Sequence, residues 1–219
     1  MKPSININRL RITEIFHSLQ GESNTVGLPT VFVRLTGCPL RCQYCDTAYA
    51  FQGGSLVELE DILSKVASFE CEHVCVTGGE PLAQPGCINL LSSLCDAGHF
   101  VSLETSGARD ISTVDPRVMI VMDLKTPDSL ECEKNLLTNL EYLKPSDQIK
   151  FVLCSRKDYE WACQMIQEHS LNERTQLLFS PSWGQLDPTS LANWIIEDRI
   201  KVRFQLQLHK ILWNDAPGH

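Results

Sequence analysis

The sequence predicts an α/β fold, a partial, open parallel β/α barrel of about six βα units. Short β-branched runs alternate with segments whose apolar residues recur at helical spacing, which is the pattern of repeated βα units. The strand runs are mostly apolar, as expected for buried parallel strands. Because about six units are too few to close an eight-fold barrel, an open or partial barrel is the expected form.

The predicted elements follow one another without a linker or a low-complexity tract. The predicted strands are Thr30–Leu35, His73–Thr77, Phe100–Glu104, Val118–Asp123, Gln148–Leu153 and Gln176–Phe179. The predicted helices are Val57–Phe69, Gly86–Ala97, Glu131–Leu143, Lys157–His169 and Pro188–Asp198. Two further extended segments, Arg11–Phe16 and Arg203–Leu208, are expected to extend the sheet at its edges. Residues 1–219 are therefore expected to form a single domain with an N-terminal extended segment and a C-terminal strand and tail.

Composition narrows the class of protein. A chain of 24.7 kDa in which 43% of the residues are hydrophobic can bury one substantial core. The formal charge of -8 and the pI near 5.2 argue against a nucleic-acid partner, since proteins that bind a phosphate backbone usually present a basic face. No apolar run is long enough to span a bilayer, and no secretory leader opens the sequence. We therefore expect a cytoplasmic protein with neither a nucleic-acid nor a membrane partner.

Three closely spaced cysteines are the most informative motif. Cys38, Cys42 and Cys45 are separated by three and two residues. A cubane iron-sulfur cluster has four irons that are normally held by four thiolates, so three cysteines would leave one iron free to bind another ligand. One alternative is structural zinc, which needs four ligands and could take His17 as the fourth. A disulfide is the other, and the absence of a leader disfavours it.

Polar motifs follow the carboxyl ends of the predicted strands, where parallel α/β folds place their chemistry. After the cysteine loop they are Thr77–Pro81, Glu104–Gly107, Asp123–Lys125 and Ser180–Gly184. Two glycines in the first motif would let the backbone approach a ligand, and Glu80 could hold an ammonium group. Each motif alone is a weak signal, because a Gly-Gly turn is most often only a turn. Together they predict one rim that faces one cavity.

The cysteine motif, followed by Gly78-Gly79-Glu80, resembles that of the radical S-adenosylmethionine superfamily. In that superfamily the open iron chelates the amino and carboxylate groups of S-adenosylmethionine. Further motifs narrow the resemblance to the 7-carboxy-7-deazaguanine synthases over nearly the whole chain: Ser18–Glu22, Arg34, Cys45–Thr47, Glu104–Gly107, Gln207 and His209-Lys210. The resemblance implies a radical S-adenosylmethionine type of open barrel that uses a 4Fe-4S cluster, S-adenosylmethionine and magnesium.

The resemblance also implies a reaction. Members of that family convert 6-carboxy-5,6,7,8-tetrahydropterin to 7-carboxy-7-deazaguanine and ammonia, a carbon-nitrogen lyase reaction that contracts the ring by a radical route. The product enters queuosine or another 7-deazapurine pathway, and S-adenosylmethionine is regenerated in each turnover. By the same resemblance, the expected partners are the small-molecule carboxypterin, a flavodoxin-like electron donor and a second copy of the chain in a homodimer.

Residue roles are carried over from the matching motifs. The metal ligands would be Cys38, Cys42 and Cys45 for the cluster and Thr47 for magnesium. The residues expected to bind S-adenosylmethionine are Gly78, Gly79, Glu80, Gly107, Asp123, Leu124, Lys125, Ser180 and Pro181. The residues expected to bind the substrate are Leu19, Gln20, Gly21, Arg34, Thr105 and His209. Many relatives carry Ser-Pro-Lys where this chain has Asp123-Leu124-Lys125, so the chain departs from the family pattern there.

Simpler interpretations of single residues stay open at this point. Arg34 could form a salt bridge at a strand edge instead of clamping a substrate carboxylate. Thr47 could bond its own backbone in a turn, and His209 could be an ordinary surface residue.

Two other function classes share part of the motifs. A glycyl-radical activating enzyme would share the cysteine and Gly-Gly-Glu motifs, whereas Ser18–Glu22 and Glu104–Gly107 speak against it. A non-catalytic iron-sulfur electron carrier would not cleave S-adenosylmethionine, and a zinc module would be colourless.

Overall fold

The computed structural model describes residues 7–214, 216 and 218. In this part of the chain the strands are β1 (Arg9–Leu19), β2 (Pro29–Leu35), β3 (Ser55–Glu58), β4 (His73–Gly78), β5 (Phe100–Thr105), β6 (Met119–Asp123), β7 (Gln148–Leu153), β8 (Gln176–Pro181) and β9 (Arg203–Phe204). The α-helices are α1 (Leu59–Ala67), α2 (Cys87–Asp96), α3 (Arg156–Glu168), α4 (Pro188–Glu197) and α5 (Leu208–Trp213).

All the strands belong to one open sheet in the order β3-β1-β2-β4-β5-β6-β7-β8-β9. Neighbours from β2 to β9 run parallel, whereas β1 is antiparallel to both β2 and β3. Helices α1 to α4 each lie between two successive parallel strands, and the fully described connections from β5 to β6 and from β6 to β7 contain no α-helix. The sheet does not close on itself, which confirms the predicted open α/β fold.

The central strands alternate between the core and a cavity on the other face of the sheet. In β2, Val31, Val33 and Leu35 belong to the core, whereas Phe32 and Arg34 line the cavity. The same two-residue period holds in β6 and β7, and in β4 and β5 up to their last residues, Gly78 and Thr105, which also line the cavity. One face of the sheet therefore packs in the apolar core. The other face lines the cavity and carries polar side chains such as those of Arg34 and Lys150.

The core consists of two clusters that share neighbours. The first packs β2 and β4 against α1 and α2, and the second packs β7 and β8 against α3 and α4. Leu82 and Val114 contact both clusters. The two halves of the sheet are thus joined by apolar packing as well as by backbone hydrogen bonds.

The predicted helix Glu131–Leu143 is wrong. The segment forms two short 3-10 helices, Cys132–Lys134 and Leu137–Glu141. Its polar groups bond to strand ends instead of to its own backbone, since Asn135 exchanges hydrogen bonds with the backbone of Lys125 (2.9 and 2.8 Å). These tertiary hydrogen bonds compete with the helical ladder, which explains why apolar periodicity alone misled the prediction.

Two smaller boundaries also differ. Val57 and Glu58 belong to β3, and α1 begins only at Leu59. Of the extended segment Arg203–Leu208, only the first two residues form a strand, and Leu208 already opens α5. Residues Arg9–Leu19 form the long strand β1, which lies next to the sheet edge, whereas β3 forms the edge itself.

Candidate active site at the carboxyl ends of the strands

A cavity of about 490 Å³ lies over the polar face of the sheet. The carboxyl halves of β2, β4, β5, β6 and β7 form its floor, and the loop after β2 and α5 contribute to its wall. The predicted site residues that line it are Leu19, Gln20, Gly21, Arg34, Cys38, Cys42, Cys45, Thr47, Gly78, Gly79, Thr105, Asp123, Lys125 and His209. Ser182 and Trp183 of the Ser180–Gly184 motif also line it, so the folded chain brings together residues from every polar motif.

The three predicted cluster ligands face this cavity as free, half-buried thiols. The backbone amide of Leu40 donates a hydrogen bond to Cys38 Sγ (3.4 Å), a type of contact that tunes iron-sulfur clusters. Burial raises the pKa of Cys38, Cys42 and Cys45, that of Cys42 to about 11. Metal-free thiols are thus protonated at neutral pH, and binding of a cluster has to displace those protons.

The donor set fits a cluster that takes three thiolates from the protein. All ten cysteines are described and none forms a disulfide. Among the described residues, no three His, Cys, Asp or Glu side chains converge on the position of a single metal ion. Soft thiolates from one loop suit an iron-sulfur cluster with one iron open to a further ligand.

The cysteine loop is braced by loops that follow more distant strands. Gln43 and Gln185, which follows β8, exchange two amide hydrogen bonds of 3.0 and 2.9 Å. The backbone amide of Gln43 donates to the carbonyl of Ser129 (3.2 Å), and that of Arg41 donates to Glu131 (2.5 Å), both beyond β6. The position of the loop therefore depends on tertiary contacts with residues that lie outside the loop.

Thr47 lies in a short polar chain beside the last cysteine. Its hydroxyl donates to Asp46 Oδ1 (2.8 Å), and Lys210 Nζ lies 2.8 Å from Asp46 Oδ2. Burial opposes ionisation, but the Lys210 ammonium and the hydrogen bond from Thr47 hold the pKa of Asp46 well below its ordinary value. The carboxylate and the hydroxyl together provide the hard oxygen donors that magnesium prefers.

Gly78 and Gly79 are required by the close approach of the end of β2 and of the cysteine loop, respectively. A Cβ at Gly78 would lie 2.3 Å from the carbonyl oxygen of Leu35, and one at Gly79 would lie 2.5 Å from that of Gly37. Such distances exclude any side chain without movement of the backbone. The two glycines thus let β4 end directly against the loop that carries the cysteines.

Glu80, the residue after the two glycines, is fully buried and does not line the cavity. Its carboxylate accepts hydrogen bonds from the Thr105 hydroxyl (2.9 Å), the Ser106 amide (2.7 Å) and the Leu82 amide (3.0 Å). The side chain therefore joins the end of β4 to the end of β5. Contact with a ligand ammonium would require one of these hydrogen bonds to be exchanged.

Alternating charges cross the floor of the cavity. Lys150 Nζ lies 2.5 Å from Glu22 and 3.7 Å from Asp123, and Lys125 Nζ lies 3.0 Å from the same oxygen of Asp123. Burial opposes the charge on both lysines, but Glu22 raises the pKa of Lys150 and Asp123 raises that of Lys125. Asp123 Oδ1 and the Tyr44 hydroxyl are buried and find no hydrogen-bond partner among the described residues, so both can serve a polar ligand.

Arg34 projects into the cavity from β2. Its guanidinium carbon lies 5.8 Å from the centre of the Phe16 ring and 5.9 Å from that of Tyr49. Arg34 Nε donates to Glu14 Oε1 at 2.7 Å. The salt bridge that was the simpler interpretation of Arg34 therefore exists. Arg34 still lines the cavity.

The opposite wall joins the end of β1 to α5. The amide of Gln20 donates to the carbonyl of Leu28 (2.9 Å), and the carbonyl of Gly21 accepts from the amide of Leu208 (3.0 Å). A Cβ at Gly21 would lie 2.1 Å from His209 Nδ1. Part of the backbone predicted to hold the substrate is thus already bonded within the chain, and His209 packs against it.

Four other predicted residues lie outside the lining. Gly107 has a positive φ of 72°, and its carbonyl accepts from the amide of Leu136 (3.1 Å). Leu124 is buried in the second core cluster. Ser180 and Pro181 are buried at the end of β8, and Ser180 Oγ finds no hydrogen-bond partner among the described residues.

Comparisons with known proteins identify the family of this chain. The family model described as the radical SAM superfamily matches residues 32–131, which include the cysteine loop and the Gly-Gly-Glu motif. A 7-carboxy-7-deazaguanine synthase from Chlorobaculum tepidum is 46% identical over 213 residues, which cover 95% of this chain and 97% of that protein. This chain belongs to the 7-carboxy-7-deazaguanine synthase family. Relatives of the same name from Koribacter versatilis and Thermoplasma acidophilum are 39% and 38% identical, over 93% and 94% of this chain and 97% and 99% of theirs.

Solved structures support the fold of this synthase family. QueE from Escherichia coli superposes with a TM-score of 0.76 at 24% identity, covering 92% of this chain and 95% of that one. SuiB from Streptococcus suis, in its complex with the precursor peptide SuiA, gives a TM-score of 0.57 at 14% identity over 78% of this chain. The predicted enzyme class is confirmed, and a radical S-adenosylmethionine enzyme uses a 4Fe-4S cluster and S-adenosylmethionine. No described helix has the length and apolar character needed to cross a membrane.

Sequence reasoning missed several polar residues of the cavity. Glu22 and Lys150 form its most buried ion pair, and Glu104 accepts hydrogen bonds from Gln20 (3.3 Å) and Thr77 (3.1 Å). A charged residue in the middle of an otherwise apolar strand was the available signal for Lys150, because burial of an ammonium requires a partner. For Glu104 the signal was its place at the end of a predicted strand.

Proposed function

We propose that this protein converts 6-carboxy-5,6,7,8-tetrahydropterin to 7-carboxy-7-deazaguanine with release of ammonia. The observation that carries the proposal is that Arg34, an acid-binding side chain, lines the same cavity as Cys38, Cys42 and Cys45. Family membership supports the same conclusion, since the relatives bear the name of this activity. When bound, the cluster and S-adenosylmethionine supply the hydrogen abstraction that begins a radical ring contraction.

The chain's own residues would bind and orient the cofactor. The three cysteines would hold the cluster, and Gly78 and Gly79 would present backbone groups next to it. Asp123, with one carboxylate oxygen free of partners among the described residues, would accept hydrogen bonds from cofactor hydroxyls. Lys125 lines the cavity beside Asp123 and would support the cofactor from there. The other residues proposed to support the cofactor act from behind the lining: Glu80, Gly107, Leu124, Ser180 and Pro181.

The substrate would lie between Arg34 and the opposite wall. The Arg34 guanidinium would clamp its carboxylate, and Gln20 would meet the polar edge of the pterin through backbone groups, as would Leu19 and Gly21. Thr105 and His209 would complete this wall. The floor residues Lys150 and Glu22 are themselves nearly buried, which strengthens the electrostatic interaction between them.

Magnesium would bind beside the last cysteine. The Thr47 hydroxyl supports this proposal, and the neighbouring Asp46 carboxylate adds a second oxygen at the same place. Because magnesium usually keeps water and substrate oxygens in its shell, we expect it to bind tightly only with the substrate present.

The test is an anaerobic turnover assay of the cluster-loaded protein. It contains S-adenosylmethionine, a reductant and the carboxypterin, with and without magnesium, and product is followed by mass spectrometry. We expect 7-carboxy-7-deazaguanine and ammonia in equal amounts. Reductive cleavage of S-adenosylmethionine without any deazaguanine would contradict the proposed substrate while leaving the radical chemistry intact.

We also infer a homodimer, a flavodoxin-like electron donor and a cytoplasmic location. Exposed apolar residues such as Leu130 and Ile196, 75% and 73% exposed, support a covered surface, and ten free cysteines suit a reducing compartment. Light scattering should give twice the 24.7 kDa of one chain. Reduced flavodoxin should replace the chemical reductant in the turnover assay, and a protein that accepts electrons only from dithionite would contradict that part.

A further inference from the structure

Arg34 donates a hydrogen bond to the rest of the described chain through only one of its guanidinium nitrogens, Nε. Nε donates to Glu14 Oε1 at 2.7 Å, and among the described residues no other group accepts a hydrogen bond from this side chain. The pair is largely withdrawn from water, since the side chains of Arg34 and Glu14 are 14% and 22% exposed. The two terminal nitrogens are therefore left as donors at the cavity.

A bulge in β1 sets the partner of Arg34. Ile12 lies opposite Leu35, but Glu14 lies opposite Arg34, so one additional residue, Thr13, is inserted into β1 between the two pairs. Without the bulge, the regular register would place Thr13 opposite Arg34. Bulges of this kind re-aim side chains next to functional sites.

Tyr49 holds the same carboxylate oxygen from the other side. Its hydroxyl donates to Glu14 Oε1 at 2.7 Å, and its ring lies beside the Arg34 guanidinium. Tyr49 belongs to the 3-10 helix Ala48–Phe51, which directly follows the cysteine loop. Glu14 therefore connects the cysteine loop, the acid-binding arginine and the strand that carries the bulge.

We propose that Glu14 and Tyr49 are positioning residues that hold Arg34 for end-on recognition of a substrate carboxylate. Glu14 occupies Nε, so a carboxylate can pair only with the two terminal nitrogens, and the flanking rings keep the guanidinium from rotating. Glu14 also supplies a counter-charge for Arg34 when no substrate is bound, which avoids an unpaired buried cation. The inference rests on the proposed function, because it assigns the carboxylate to Arg34.

The experiment compares Glu14→Ala, Glu14→Gln, Tyr49→Phe and Arg34→Ala in the cluster-loaded enzyme. We expect Glu14→Ala to raise the KM for the carboxypterin about tenfold with a smaller change in kcat, since one charge-assisted hydrogen bond is worth about that much. Glu14→Gln keeps an acceptor for Nε and for Tyr49, so it should recover most of the loss. Tyr49→Phe should give a smaller rise than Glu14→Ala.

A binding measurement gives a second readout. The oxidised 6-carboxypterin has no hydrogen on the carbon that bears the carboxylate, so calorimetry can follow its binding without turnover. Glu14→Ala should weaken binding of 6-carboxypterin and leave binding of pterin, which lacks the carboxylate, unchanged. The preference for the carboxylated ligand should therefore fall about tenfold. Glu58→Ala is the matched control, because it removes the partner of an exposed arginine, Arg9, on the same strand β1.

The outcomes distinguish the positioning role of Glu14 from the substrate-binding role of Arg34. If Arg34→Ala weakens the carboxypterin but Glu14→Ala leaves its KM and dissociation constant unchanged or lowers them, the positioning role is wrong and the arginine clamp stands. If Arg34→Ala itself changes neither constant, the substrate role of Arg34 is wrong. Equal weakening of S-adenosylmethionine, pterin and carboxypterin by Glu14→Ala would show a general structural role and overturn the inference.

Discussion

Several charged side chains of this protein are largely buried. Glu22 and Lys150 are both buried, and Gln207 donates to the second oxygen of Glu22 (2.9 Å). An ion pair of this kind adds little net stability compared with apolar packing, but loss of one member leaves a charge without compensation. Removal of one member of such a pair should therefore have a larger effect than removal of both.

Lys150→Met should destabilise the fold strongly. It leaves the Glu22 carboxylate buried without its ammonium, and such losses cost about 3–5 kcal/mol. Urea unfolding followed by circular dichroism measures the change. Lys157→Met, at an exposed position of α3, is the matched control, and the double change Glu22→Gln with Lys150→Met should recover part of the loss. Equal stability of the Lys150 and Lys157 variants would contradict the importance of the pair.

The same pair predicts a pH dependence. Burial acts to raise the pKa of Glu22, but Lys150 outweighs it and holds the pKa below its ordinary value of 4.5. A carboxylate with a lowered folded-state pKa contributes stability above its unfolded pKa and loses it as the pH falls through the folded value. The free energy of unfolding of the wild type should therefore decrease below about pH 4.5 more steeply than that of the Glu22→Gln, Lys150→Met variant. Parallel curves for the two proteins would contradict the assignment.

Cys42→Ala should abolish cluster binding and turnover together. With two thiolates left in the loop, the cluster lacks one of its three protein ligands. The brown absorption after reconstitution and the iron content are the measurements. Cys163→Ala, on α3 and outside the cavity lining, should reconstitute normally, whereas a Cys42 variant with full iron content would exclude this residue as a ligand.

At the scale of elements, α5 closes the cavity through contacts at its beginning. The amide of Leu208 donates to Gly21, Gln207 donates to Glu22, and Lys210 pairs with Asp46. A helix of six residues is too short to be stable by itself, so its place depends on these contacts. The substrate wall is consequently sensitive to any residue that displaces the start of the helix.

Gly21→Ala should displace α5 and weaken substrate binding. The new methyl group would overlap His209, so the helix or the ring has to move. We expect the KM for the carboxypterin to rise about tenfold, the range that follows the loss of an aligned polar contact. The double variant Gly21→Ala, His209→Ala should lose much less than the sum of the two single changes, because the overlaps with Nδ1 and Cγ of His209 are then removed and only the 3.2 Å contact with its Cβ remains. Additive losses in this cycle would show that the methyl group acts elsewhere.

At the scale of the whole molecule, the two core clusters belong to one continuous sheet. Because Leu82 and Val114 touch both, neither cluster can be exposed without loss of packing in the other. We therefore expect residues 7–214 to unfold as one unit, as the single-domain prediction requires.

Leu91→Ala tests this cooperativity. Leu91 is fully buried in the first cluster, whereas Trp161 and Trp194 pack against the second. The truncation should cost about 2–5 kcal/mol and shift the urea midpoint seen by tryptophan fluorescence and by circular dichroism equally. A fluorescence midpoint that stays in place while the circular dichroism midpoint moves would indicate two independent units.

The sequence by itself determined the strand positions and the cysteine loop. The β-branched runs predicted β2, β4, β5, β6, β7 and β8 with their ends close to the observed ones, because strand propensity and apolar pattern are local properties. The spacing of Cys38, Cys42 and Cys45 is equally local, so together with Gly78-Gly79-Glu80 it indicated the radical S-adenosylmethionine superfamily without any knowledge of the fold.

Only the tertiary structure decided which polar residues meet. Glu22 and Lys150 are 128 residues apart, Glu22 and Gln207 are 185 apart, and the Glu14–Arg34 pair depends on one bulge. Such contacts follow from strand order and register, which no local pattern encodes. The same reason explains the wrong helix at Glu131–Leu143, where Asn135 bonds to the end of β6 instead of allowing the segment to satisfy its own backbone.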